Sequence, residues 1–211
     1  MSTPEPRPEA GFSDPAGTWN KRFAAEGYLF GTEPNQWLRE QASVWAAGQR
    51  VLCVADGEGR NSVWLAQQGL EVEAFDIAEA GVAKARRLAE LNSVQVQLQV
   101  ASCDGFDWPV ARYDGVAAIF VQFADPPLRE RMFARIKQSL KPGGTLVLQG
   151  YTPKQLEYRT GGPPLLSHLY TAELLRQAFA DMDIVELRDY EAEGTGHLGR
   201  SALIGLVARR R

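Results

Sequence analysis

Two glycines, Gly57 and Gly59, flank Glu58 directly after the apolar run Val51, Leu52, Val54 and Ala55. A backbone that must bend sharply and lie close to a ligand needs glycine, because a Cβ would obstruct the approach. Asp76 stands 17 positions after Gly59. A carboxylate at that distance, at the end of a second strand, can accept hydrogen bonds from both hydroxyls of a ribose. It could equally cap the helix that follows. Asp104, in Ser102-Cys103-Asp104-Gly105-Phe106, is a further carboxylate at the end of an apolar stretch. The chemistry these residues suggest is the holding of a nucleotide-like cofactor. A glycine turn alone is also an ordinary strand-to-helix connection, so the rest of the chain must discriminate.

The elements that would position them are legible from periodicity. Residues 51–55 read as a strand covered on both faces, and Asn61 to Gln68 as a helix stopped by Gly69. That helix would turn its free N–H groups and positive dipole end to the turn. LEVEAFDI reads as a second strand, Ala78 to Leu91 as an amphipathic helix, and VQVQLQV as an unbroken alternating strand. YDGVAAIFVQF is a buried strand, Pro126-Pro127 open a helix, and LKPGGTLVLQGY is a helix stop, a Pro-Gly-Gly turn and a fifth strand. Repeated βα units indicate a parallel, doubly wound α/β sheet with ligand sites at the carboxyl ends of the strands. After a helix begun by Thr171, Asp183 to Tyr190 and Ser201 to Ala208 follow with no helix between them, so they should pair antiparallel.

Ahead of all this, residues 1–16 are rich in Pro and Glu and read as a disordered tail. Residues 17–47 form a distinct helical segment, with Thr18 as a helix cap, Trp19 and Phe23 on one face, and an aromatic turn at Gly27-Tyr28-Leu29-Phe30-Gly31. Trp37, Leu38, Gln41, Val44 and Trp45 continue at helical spacing. These aromatics pack on the domain or form a lid over the glycine turn.

The 211 residues, 45% hydrophobic and 23% charged with a net charge of −3, suit one globular domain spanning residues 17–211. An acidic balance offers no basic face for a phosphate backbone, so nucleic acid is not an expected partner. No apolar run reaches membrane-spanning length and no secretory signal is visible, so a cytoplasmic location away from membranes is expected. Two cysteines, Cys53 and Cys103, give neither a disulfide framework nor metal-ligand spacing, and no metal is expected.

VLCVADGEGRN, EVEAFDI, CDGFDW, YDGVAAIFV and LKPGGTLVLQGY, in that order, resemble the motifs of class I S-adenosylmethionine-dependent methyltransferases. WNKRFAAEGYLFGTEPNQWL and EYRTGGPPLLSHLYTAELL extend the likeness toward the tellurite-resistance and thiopurine methyltransferase-like group. The resemblance implies a mostly parallel seven-stranded sheet with a C-terminal antiparallel hairpin, and S-adenosylmethionine as cofactor, left as S-adenosylhomocysteine. It implies that Ala55, Asp56, Gly57, Gly59 and Asn61 hold the methionine part, Asp76 the ribose and Ile77 the adenine face. Asp104, Gly105 and Phe106 would border the adenine; Val121, Gln122 and Phe123 would line the methyl-donor centre; Tyr28 and Phe30 would close over the cofactor. Two departures stand out: Cys53 replaces the family's usual acid and Ala55 its first glycine, which is harmless if φ is negative there.

A sulfonium is an activated leaving group, so transfer needs alignment and exclusion of water more than acid–base help. The expected acceptor is a small molecule with a soft nucleophile: a thiol, a metalloid oxyanion or a halide. His168, His197, Arg159 and Tyr170, in connections near the mouth of the sheet, are weak candidates for a catalytic role. Two other functions fit less well. One is a cofactor-binding module without catalysis, monomeric or homodimeric like the enzyme. The other is a nicotinamide-dependent oxidoreductase, for which Ser62 and Ala55 spoil the Gly-x-Gly-x-x-Gly pattern.

Overall fold

The computed structural model describes residues 14–193 and 199–211. Seven strands form one sheet: β1 (Arg50–Val54), β2 (Glu71–Asp76), β3 (Val96–Val100), β4 (Tyr113–Ile119), β5 (Leu140–Tyr151), β6 (Met182–Glu193) and β7 (Arg200–Arg210). Their order is β3-β2-β1-β4-β5-β7-β6. The first five are parallel to one another, while β7 runs antiparallel to both β5 and β6. The antiparallel β7 separates this sheet from the six-stranded parallel order of a dinucleotide-binding domain.

Helices cover both faces. On one lie α2 (Gln36–Gln41), α3 (Arg60–Gln67) and α4 (Glu79–Leu91). There Leu65 joins Val51, Cys53, Val72, Ala117 and Val147 in one cluster. On the other, Met132, Phe133 and Ile136 of α5 (Pro126–Ser139) and Leu175 of α7 (Ala172–Ala178) pack on Leu52, Val54, Phe75, Val116 and Leu148. Side chains alternate across each strand, so a stretch buried on both faces is apolar throughout, as residues 51–54 of β1 and 115–119 of β4 are. Among the described residues no helix is long and apolar enough to cross a membrane.

The N-terminal segment straps the first face. Its helix α1 (Pro15–Phe23) is capped by Asp14, whose Oδ1 accepts from Gly17 N at 2.9 Å, and not by Thr18. The helix therefore begins inside the stretch expected to be a disordered tail; residues 1–13 of that tail lie outside the described residues. Further on, α2 ends at Gln41 and passes through a 3-10 turn, so Val44 stays exposed while Trp45 is buried. Trp45 and Trp37 lie over bare strand backbone. A Cβ at Gly115 of β4 would stand 2.2 Å from Trp45 Nε1, and one at Gly205 of β7 2.4 Å from Trp37 Cε2. The strap is thus an integral layer of the core.

The last two helical pieces shape the far end of the sheet. In the connection after β5, the short α6 (Gln155–Tyr158) carries the buried Gln155. Its carboxamide accepts from Ala202 N of β7 and donates to Thr160 and Gly161, tying residues 152–170 to the sheet.

Candidate functional site

The glycine turn closes β1. Gly57 and Gly59 take positive φ (64° and 90°), and Gly59 is the residue from which α3 departs. Asp76 ends β2 beside it. Its Oδ2 accepts from Gly57 N at 2.9 Å and its Oδ1 from Ala78 N at 2.8 Å, so the carboxylate both braces the turn and caps the start of α4. Each oxygen keeps a second lone pair for a hydroxyl. Burial pushes the Asp76 carboxyl up from its ordinary value, against the three backbone donors that hold it down. Asp56 is pushed further, to about 7, chiefly by burial and also by Asp76, while its bonds from Ser62 Oγ and N act the other way.

The strap is fastened to this turn by side chains. Glu58, only 4% exposed, accepts from Leu29 N at 2.7 Å and from Lys84 Nζ at 2.8 Å. Lys84 also donates to the carbonyls of Ala25 and Gly27. Arg60 donates to Phe30 O, and Asn61 Oδ1 accepts from Asn35 N at 2.9 Å. The aromatic ring over the turn is that of Phe23, whose Cζ lies 3.2 Å from where a Gly57 Cβ would be, with Phe30 edge-on to it at 6.5 Å. Tyr28 points elsewhere: it packs by Val63, Leu88 and Ala89, and its hydroxyl donates to Lys84 O. Phe30 thus lies beside the ring that covers the turn, and Tyr28 packs against α4. Phe23, the ring that does cover the turn, announced itself only by sharing a helix face with Trp19.

The family model for a methyltransferase domain matches residues 51–144, which hold the turn, Asp76 and Asp104. A tRNA (uracil(54)-C(5))-methyltransferase of Pyrococcus abyssi is 27% identical over 72% of the chain and 40% of its own length. The curated relatives that match are longer proteins, of which the chain spans 31 to 49%. Among solved structures, the N-methyltransferase NodS of Bradyrhizobium japonicum, in complex with S-adenosylhomocysteine, superposes with a TM-score of 0.73 at 12% identity, covering 92% of this chain and 97% of that one. TehB of Haemophilus influenzae gives 0.69 at 15% identity, covering 93% of this chain and 67% of that one. The chain has the class I methyltransferase fold.

Within that methyltransferase fold, the residues present fit the donor unevenly. The positive-φ turn, the Asp76 carboxylate and the amino end of α3 converge on one spot. Asp104 does not offer its carboxylate there: both oxygens are held by Arg131 (2.8 and 3.2 Å) and one also by Arg135 (3.0 Å), which keeps its carboxyl below the usual range. Gly105 is exposed beside it, and Phe106 is buried, stacked on Phe75 at 4.2 Å as part of the core. Ile77 is half-buried next to Asp76.

The end of β4 also differs from expectation. The strand stops at Ile119, and Phe120 takes a left-handed backbone (φ 57°), so Val121, Gln122 and Phe123 turn out of the strand. Val121 is in the core, with Phe123 packed against it. Gln122 is a staple: it accepts from Tyr151 N and donates to the carbonyls of Tyr151 and His168. Its side chain joins β4, β5 and the following connection. Ala55 also has positive φ (49°), so the replacement of the family's first glycine places a Cβ in strained backbone. Cys53, in place of the acid, is buried beneath the turn.

Of the catalytic candidates, His168 is buried with Nδ1 2.8 Å from Gln122 O, and because a carbonyl only accepts, Nδ1 is the protonated nitrogen. Tyr170 is a core residue, edge-on to Phe133, its hydroxyl buried and pushed well above the usual phenol range by burial. Arg159 is exposed at the end of α6, and His197 lies outside the described residues. Sequence reasoning missed a small hollow, partly open to solvent, beside the strap. Asn35, Phe120, Gln149, Tyr151 and Tyr190 line it, and no Lys, Arg, Asp or Glu does so among the described residues. Burial pushes the Tyr151 and Tyr190 phenols up to about 12, so both stay protonated at neutral pH.

Proposed function

We propose that the chain is an S-adenosylmethionine-dependent methyltransferase acting on a small molecule. The observation that carries this is the convergence of the glycine turn, the Asp76 carboxylate and the amino end of α3 at the carboxyl edge of a β3-β2-β1-β4-β5-β7-β6 sheet. When bound, the cofactor supplies an electrophilic methyl group on a sulfonium. Asp76 would take the ribose hydroxyls, and the backbone from Gly57 to Asn61 the amino-acid end. Phe23 and Phe30, on the strap, would keep water away and offer ring faces to a soft cation.

The acceptor side supplies hydrogen bonds and ring faces but no ready base. The two phenols that border the hollow stay protonated at neutral pH, and no carboxylate lines it among the described residues. An acceptor that arrives nucleophilic suits such a site: a thiol reacting as its thiolate, a metalloid oxyanion or a halide, as the likeness to the tellurite-resistance and thiopurine group suggests. The Pyrococcus relative is named for a tRNA, yet a chain of net charge −3 favours a small acceptor over RNA. We place the enzyme in the cytoplasm.

Calorimetry with S-adenosylhomocysteine tests the cofactor, and labelled S-adenosylmethionine offered with thiols, tellurite, selenite and iodide tests the transfer. No binding of either cofactor form would remove the proposal. A second reading, a cofactor-binding module without transfer, is favoured by the strap latched shut over the turn. Tight binding with no product across the panel would support it instead.

A further inference from the structure

Asn35 has three bonds that point to different parts of the molecule. Its Oδ1 accepts from Leu38 N at 3.0 Å and caps α2. Its backbone N–H donates to Asn61 Oδ1, in the first turn of α3, beside Ala55 and Asp56 at the glycine turn. Its Nδ2 donates at 2.6 Å to Gln149 Oε1, and Gln149 Nε2 continues to the Tyr190 hydroxyl. Asn35 and Gln149 are 8% and 2% exposed, so neither can exchange a lost partner for bulk water. One chain of hydrogen bonds therefore runs from the amino end of α3, through the strap, to the hollow that Tyr190 and Phe120 border. A second link fastens the strap to the same helix: Arg60, at the start of α3, donates to Phe30 O.

From this connectivity we propose that Asn35 is a positioning residue that couples the donor turn to the hollow, which takes the methyl acceptor. The proposal rests on the methyl-transfer function above. A ligand at the turn that draws on the Asn61 carboxamide competes with the Asn35 N–H. The entry of α2 then shifts, and the Asn35–Gln149–Tyr190 bonds shift with it. Because coupling between two sites is reciprocal, an acceptor in the hollow strengthens or weakens donor binding by the same factor. The hollow, uncharged among the described residues, receives an acceptor through amide hydrogen bonds and the stacked Phe120–Tyr151 rings, 4.7 Å apart.

The full chain carrying 3-fluorotyrosine at position 190 reports on the hollow by fluorine NMR while S-adenosylhomocysteine is added. The parent is expected to bind and to move the Tyr190 resonance. In Asn35→Ala the cofactor should bind within about threefold of the parent, while the resonance stays still. Gln149→Met breaks the same chain one bond further on and leaves the α2 cap intact; it should behave alike and decides the matter if Asn35→Ala does not fold. A purely structural Asn35 would lower stability and leave the response in place. Movement of the resonance in the variants as in the parent, or binding to the parent with no movement, overturns the coupling alone. A loss of cofactor affinity beyond about thirtyfold in both variants does so too. No binding to the parent overturns the methyl-transfer function and the coupling with it.

Discussion

Replacing Ala55 with glycine should make the protein more stable, although it removes a partly buried methyl group beside the core. Ala55 has φ 49°, in the left-handed region where a Cβ crowds the following carbonyl. An L-residue there costs about 1–2 kcal/mol. Glycine relieves that strain and gives back about 0.5–1 kcal/mol through the greater freedom of the unfolded chain. The net gain is on the order of 0.5–1 kcal/mol. For a domain of this size that corresponds to a rise in Tm of roughly 1–4 °C. Differential scanning calorimetry of Ala55→Gly against Ala117→Gly reads it. Ala117 is fully within β4, where φ is that of an ordinary strand, so its replacement should lower Tm. S-adenosylhomocysteine should bind Ala55→Gly at least as tightly as the parent, because the turn then carries a residue suited to its positive φ. If Ala55→Gly lowered Tm as the Ala117 control does, the strain would not be where the backbone places it.

Asp56 sets a pH dependence of unusual sign. Its folded carboxyl titrates near 7, against an ordinary value of 3.8, so between those limits the folded state holds a proton that the unfolded chain releases. Stability then falls as pH rises through that window. Asp56→Asn should match the parent near pH 4 and exceed it at pH 8 by on the order of 4 kcal/mol in urea denaturation; a difference independent of pH would refute the assignment. Gly115→Ala drives a methyl group to 2.2 Å from Trp45 Nε1 and should cost about 1–3 kcal/mol, seen as an earlier urea midpoint. A neutral result would mean that the indole moves freely. Glu58→Ala removes the acceptor of Leu29 N and the partner of Lys84, so amide exchange at Leu29 should quicken at least tenfold, whereas unchanged exchange would show the strap held by its aromatic contacts alone.

The parallel sheet, the closing antiparallel pair and the positions of the glycine turn and Asp76 were legible in the chain because each rests on neighbours a few residues apart. β1 is a local apolar run, and α4 a 3.6-residue repeat. The sequence between Tyr190 and Ser201 is too short for a crossover helix, which forces antiparallel pairing. The composition of a turn does not reveal its dihedral angles, so the effect of Ala55 was undecided until its φ was known. Asp104 looked free because Arg131 and Arg135 come from a helix 27 and 31 residues later. Gln122 looked like a lining residue because its partners, Tyr151 and His168, arrive from two other connections. Trp37 and Gly205 meet from opposite ends of the chain, and Asn35 reaches Gln149 across 114 residues. The sequence by itself determined the elements and the turn that suits a cofactor, since periodicity and glycine are local properties. Only the tertiary structure decided which polar side chains remain available for a ligand, because strand order selects the partners that buried donors and acceptors must find.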